Sequence, residues 1–129
     1  MTFSDVMDMK LVFEGAKLLS CKEGEVVYTI RVNESDVNPY GFAHGGYLFT
    51  LCDNMAGMIG YTLGYYSVTL QANINYLKSA LLDDLLEVKG KAIHFGKTTD
   101  VVEVEINNQN KELLAKAQIT LYNVKSAQE

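Results

Sequence analysis

The stretch from Gly45 to about Leu63 constrains this chain more than any other. Tyr47, Leu48, Phe49, Leu51, Met55, Ala56, Met58, Ile59, Tyr61 and Leu63 make it apolar on almost every side of a helix. A helix apolar all round is a buried helix, so the rest of the chain must supply its cover. A membrane span competes for any run of about 20 apolar residues. Asp53 and Asn54 at the centre, several glycines and the lack of a second span or basic flank argue against it. No membrane partner is expected.

The flanking segments read as strands. Ala16–Lys22 and Glu25–Asn33 are separated by Glu23-Gly24, and in the second Val26, Tyr28, Ile30 and Val32 alternate with polar residues. After the helix, Val68, Leu70, Ala72, Ile74 and Tyr76 alternate with Thr69, Gln71, Asn73 and Asn75. That pattern puts Thr69 on the face away from the core. Leu85–Phe95, Thr98–Asn107 and Glu112–Asn123 follow, joined by Gly96-Lys97 and Asn107–Asn110, turns that pair neighbours antiparallel. A short helix is expected over Thr2–Val12, with Phe3, Val6 and Met7 on one stripe.

Two strands, one helix and four strands leave no second helix to cover the sheet. A 20-residue helix is ~30 Å long and a ten-residue strand ~33 Å, so a curved sheet can wrap the helix lengthwise. The expected fold is α+β: a hotdog arrangement, an antiparallel sheet wrapped around one long buried central helix, with residues 1–129 forming a single domain. Apolar residues are 48% and charged residues 21%, which separates the chain from disordered sequences. Sixteen acids against 11 bases give a net charge of −5, which speaks against a nucleic-acid partner. Cys21 and Cys52 form no CxxC pair and no Cys/His cluster, so no metal is expected and a cytoplasmic setting is. The first ten residues hold two acids and lack the basic-then-apolar pattern of a signal peptide.

The chemistry-bearing stretch is Asn38-Pro39-Tyr40-Gly41-Phe42-Ala43-His44-Gly45-Gly46, which runs into the helix and on to Asp53. A helix N-terminus presents unpaired N–H groups and partial positive charge, a setting for an oxyanion. Glycine at 45 and 46 lets a carbonyl approach that backbone; an ordinary glycine cap is the competing reading. Asp53, a carboxylate amid apolar neighbours, costs several kcal/mol unless paired or functional. It is either a satisfied structural aspartate or a general base or nucleophile. Eight residues of helix put ~12 Å between Gly45 and Asp53, too far for one carbonyl. A site using both must be shared between subunits.

These residues carry a resemblance. His44-Gly45-Gly46 followed by Leu51-x-Asp53, with Asn38 and Gly41 upstream, resembles the acyl-CoA thioesterases of the hotdog superfamily, in the PaaI-like branch that includes the phenylacetic-acid-pathway thioesterase. The similarity runs from about residue 15 to 123 and includes Asn73-Ile74-Asn75-Tyr76-Leu77 and Gly96-Lys97-Thr98. It implies that Asp53 activates water or attacks the thioester carbon, that the Gly45 amide holds the carbonyl oxygen, and that Asn38 and His44 orient carbonyl or water. It further implies that Thr69 helps hold the attacking water. The substrate would be an acyl-CoA and coenzyme A no separate cofactor.

Lys78 and Lys97 are candidates for the coenzyme A phosphates. Cys52 points ~100° around the helix from Asp53 and reads as a core thiol, and His94 reads as a rim residue. Tyr47, Phe49, Tyr61, Tyr65 and Tyr66 could line an acyl pocket or simply be core. An enoyl-CoA hydratase of the same fold is the rival enzyme. In the run from Asp36-Val37-Asn38-Pro39, however, the fifth residue after Asp36 is Gly41, and the histidine comes three later. A non-catalytic acyl-CoA binding module is the rival of another class. The expected assembly is a homodimer at minimum and a homotetramer at full size, because sheet edges need cover and the polar face of Thr69, Gln71, Asn73 and Asn75 offers a further contact.

Overall fold

The computed structural model describes residues 13–127, so the helix expected over Thr2–Val12 lies outside the described residues. Six strands and one long helix follow in the expected order. They are β1 (Lys17–Lys22), β2 (Glu25–Arg31), α1 (Gly45–Thr62), β3 (Tyr65–Tyr76), β4 (Leu85–Phe95), β5 (Thr99–Asn107) and β6 (Leu113–Ser126). A single turn of 3-10 helix, Glu34–Asp36, sits between β2 and α1. The strands form one sheet in the order β1-β2-β4-β5-β6-β3, every neighbour antiparallel. The chain leaves β2 near one edge, passes through α1 and returns as β3 on the opposite edge.

Alternation builds the concave face. Val26, Tyr28, Ile30, Leu86, Val88, Val102, Val104, Ile106, Ala117 and Ile119 all point at the helix and are buried. The helix packs tightly over Gly90, where an added Cβ would stand 2.5 Å from Met55 Cγ and 3.1 Å from an Ile59 carbon. Glycine in mid-strand weakens a sheet by itself; here it makes room for the helix axis. At the far end Thr62 ties the helix to the β1–β2 turn, its hydroxyl accepting from Gly24 N–H (3.0 Å) and donating to the Ile59 carbonyl (2.6 Å). Gly24 has φ +80°, a backbone conformation that suits glycine.

Two expectations need correction. The helix is not buried on all sides. Leu48, Leu51, Cys52, Met55, Ala56, Met58 and Ile59 are buried, but Gly46 and Thr50 are exposed and Asp53, Gly57 and Tyr61 are half-buried. These five fall on one stripe at a spacing of three or four residues. Six strands curl around the helix without closing, so one side of it stays open.

The second correction concerns β3. Its pairing with β6 shifts register between Thr69 and Gln71, which makes Leu70 the extra residue of a bulge. Thr69 lies opposite the buried Leu121, whereas Val68 lies opposite the exposed Tyr122. Directly opposed residues share a face, so Thr69 faces the helix and Val68 faces away. Beyond the bulge Ala72, Ile74 and Tyr76 face the helix, opposite Ile119, Ala117 and Ala115. A one-residue insertion exchanges the two faces.

Candidate active site

The loop before α1 is folded by Asn38. Its side-chain oxygen accepts from the N–H groups of Tyr40 (2.9 Å) and Phe42 (3.1 Å), while its backbone N–H donates to the Phe42 carbonyl (2.9 Å). Gly41 closes the turn at φ +87°. Two bridges, Val37 to Ala43 and Phe42 to Leu81, fasten it to its surroundings. The Asn38 oxygen is thus spent on the loop, and the amide NH2 is the part left to orient a ligand. The His44 N–H donates to the Asp36 carbonyl (3.0 Å), which aims the chain into the helix.

His44 is the N-cap residue, exposed, with extended backbone; its carbonyl accepts from Tyr47 (3.0 Å) and Leu48 (3.2 Å). The N–H groups of Gly45 and Gly46 donate to no acceptor among the described residues, as the first turn of a helix dictates. Gly45 has a second reason to be glycine, which sequence reasoning missed. The Tyr76 hydroxyl donates to the Gly45 carbonyl (2.8 Å), and a Cβ on Gly45 would sit 3.3 Å from the Tyr76 ring. Tyr76, Leu48, Leu77 and Lys78 line a shallow groove beside Gly45. The clue in the sequence was a large aromatic ending an alternating strand; its partner lies 31 residues away.

Asp53 sits on the open stripe of the helix, two turns on. Thr69 donates its hydroxyl to Asp53 Oδ1 at 2.5 Å. The bulge at Leu70 makes this contact possible. One chain therefore assembles Asp53 with Thr69, while His44 and Gly45 open the helix and Asn38 sits at the tip of the loop that leads into it. Along one helix the two groups remain ~12 Å apart.

The remaining candidates fall elsewhere. Lys78 is ion-paired with Glu112, which also takes a hydrogen bond from Asn108. Lys97 lies in the β4–β5 turn at the other end of the helix, where Thr98 pairs with Asn123 and Asn123 in turn binds Ser67, packed against Gly60. One chain does not bring the two lysines together. Cys52 is fully buried, and that burial pushes its thiol up to about 12, so it is an inert core residue. His94 is exposed on β4, away from Asp53. Sequence reasoning also missed Asp100, a buried carboxylate whose Oδ1 accepts from Gly96 N–H (3.2 Å) and Asn123 Nδ2 (3.3 Å). The other oxygen, Oδ2, is buried without a partner. Among the described residues no group of His, Cys, Asp and Glu is placed to hold a metal, and no helix is long and apolar enough to cross a membrane.

The thioesterase superfamily model matches residues 40–115, from the loop before α1 into β6. The chain belongs to the thioesterase superfamily. It is similar to the acyl-coenzyme A thioesterase PaaI of Escherichia coli, 31% identical over 78% of this chain and 72% of the relative. A hypothetical thioesterase of Streptococcus pneumoniae, solved with coenzyme A, superposes with a TM-score of 0.86 at 46% identity, over 88% of this chain and 92% of that one. A Streptococcus mutans protein solved with acetyl-CoA gives 0.86 at 45% identity, over 89% and 93%. The six-stranded sheet around one helix is the hotdog fold, and the thioesterase is PaaI-like: an enzyme, a thioester hydrolase.

Proposed function

We propose that the protein hydrolyses an acyl-CoA to the free acid and coenzyme A, with Asp53 as general base. The observation that carries this reading is the Asp53–Thr69 pair on the open side of an otherwise buried helix. Asp53 takes a proton from water as the water oxygen bonds to the thioester carbon. The Thr69 hydroxyl holds Asp53 in place, and its oxygen can accept from the same water. Negative charge that develops on the carbonyl oxygen is met by the Gly45 amide, at the positive end of the helix, with the Asn38 NH2 and His44 beside it. The tetrahedral intermediate collapses as the carbon–sulfur bond breaks, and the thiolate of coenzyme A leaves with the proton that Asp53 had taken. No resident cofactor enters these steps.

Because one helix separates Gly45 from Asp53 by ~12 Å, each site takes Asp53 and Thr69 from one subunit and Gly45, Asn38 and His44 from another. The active unit is then a homodimer at least, and the exposed outer face of β3 supports a homotetramer. Lys78 and Lys97, at opposite ends of one chain, can meet coenzyme A phosphates only as contributions from different subunits. A chain with only two cysteines, Cys21 and Cys52, and no CxxC pair suits a cytoplasmic setting. The hydratase reading loses support, because the Asp36 carboxylate accepts from Asn33 N–H (3.0 Å) within its own turn.

A panel of aryl and of short, medium and long acyl-CoAs, followed by thiol release, tests the activity. No release from any member leaves the binding-module reading. A single turnover in 18O-water tests the role of Asp53: label in the first product acid fits a base, and label retained on the enzyme fits a nucleophile. Asp53→Asn and Gly45→Val, unfolded and refolded together, test the shared site. Mixed dimers with one intact site should recover part of the activity, and no recovery would assign each chain its own site.

A further inference from the structure

We infer that Tyr76 is a positioning residue for the first turn of α1, its hydroxyl holding and polarising the Gly45–Gly46 peptide group so that the Gly46 N–H joins the Gly45 amide as a second donor to the oxyanion. The inference rests on the thioesterase reading above and goes beyond it. The carbonyl of Gly45 and the N–H of Gly46 belong to one planar peptide unit. Tyr76 donates to that carbonyl at 2.8 Å. A hydrogen bond to the carbonyl end of a peptide group strengthens its N–H end as a donor.

The neighbouring unit is arranged in the same way. The His44 carbonyl, joined to the Gly45 N–H, accepts from Tyr47 and Leu48. Two consecutive amides with free N–H groups are therefore backed by hydrogen bonds on their carbonyls. The two backings differ in origin. Those on His44 come from the helix itself, as in any helix. The Gly45 carbonyl takes, beyond the helix's own bond, one from β3, 31 residues on in the chain. That bond fixes where the first turn of α1 stands relative to the strand that carries Thr69.

The packing supports the same role. The Tyr76 ring lies so close that a Cβ on Gly45 would meet Cζ at 3.3 Å and the hydroxyl oxygen at 3.4 Å. The ring rests on the peptide unit that its hydroxyl binds. Tyr76 also walls the groove beside Gly45, shared with Leu48 and Lys78. It touches the amides from behind and is not placed at a reacting atom.

Tyr76→Phe keeps the ring and removes the donor. On the acyl-CoA that the wild type turns over fastest, kcat should fall about tenfold, with KM changed by less than about twofold and the melting temperature kept. A role in packing alone would not move the carbonyl of a bound substrate. The second measurement is therefore the infrared band of 13C-carbonyl-labelled acetyl-CoA bound to Asp53→Asn, with and without Tyr76→Phe. Loss of the hydroxyl should shift the band to higher frequency. An unchanged kcat, a loss confined to KM or an unmoved band overturns the inference and leaves the thioesterase reading standing. Wild-type turnover in Asp53→Asn would instead overturn that reading, whatever Tyr76 does.

Discussion

The two sides of α1 meet the sheet in different ways. On one side Met55 and Ile59 press onto β4 at Gly90, with Val88, Val102 and Val104 buried around them. On the other, the stripe of Gly46, Thr50, Asp53 and Gly57 faces out beside the edge strand β3. Strand β5 keeps its alternation along its whole length, whereas β3 breaks it at Leu70. Regular strands give the helix a dry seat, and the irregular strand swings one hydroxyl to a carboxylate. The covered side should carry the stability and the open side the chemistry.

The largest effect that separates the two sides is expected at Asp53. Asp53→Asn keeps the shape and removes the base, so turnover should fall ~10²-fold or more. Its melting temperature should stay close to that of the wild type, since the residue is half-buried on the open stripe. Thiol-release kinetics beside a thermal melt check both halves. Near wild-type turnover would leave the open side without its chemistry.

Gly90→Ala probes the covered side. Replacing a mid-strand glycine by alanine ordinarily stabilises by about 0.5–1 kcal/mol. Here the new Cβ would stand 2.5 Å from Met55 Cγ, so the variant should lose about 1–3 kcal/mol by overpacking. Chemical denaturation measures it. A gain in stability would mean that the helix does not rest on that glycine.

Thr69→Val comes next. Valine matches threonine in shape but cannot donate to Asp53, and the pair is exposed at its rim. Turnover should fall about tenfold, with the melt almost unchanged. A large drop in melting temperature with full activity would reverse the assignment of the two sides.

How legible these features are depends on their range. The helix and strands could be read because hydrophobic periods of 3.6 and 2 are local patterns. Asp53 stood out because a carboxylate in an apolar helix is costly. The bulge at Leu70 was hidden, because one extra residue changes the facing of its neighbours without changing their composition. The pattern Val68-Leu70-Ala72 reads as one apolar face, yet Val68 and Ala72 lie on opposite faces. Gly90 and Tyr76 were hidden for another reason: each is explained by a residue on α1 distant in sequence. Asp100 could have been found, since it holds the inward position in the series Asp100, Val102, Val104, Ile106.

Asp100 yields the smallest expected effect, and it tests whether the covered side is uniformly optimised for stability. Burial raises its carboxyl above the ordinary value, although hydrogen bonds from Asn123 and Gly96 and the charge of His94 pull the other way. A carboxyl whose folded value lies above its unfolded one takes up a proton more readily in the folded state. Its contribution is therefore fully present in acid, below about pH 4, and is lost as the pH rises through the folded value. Above that folded value the wild type carries a buried charge with one oxygen unpartnered. Asp100→Asn keeps an oxygen to accept from Gly96 and Asn123 and removes that charge. The variant's melting temperature relative to the wild type should rise with pH, by about 2–4 °C across the titration, and the gap should narrow as the pH falls toward 4. Melts across that range, with turnover measured beside them, check the sign. A gap that widens in acid would mean that the carboxylate is stabilised where it lies and that the Gly96–Lys97–Thr98 turn depends on its charge.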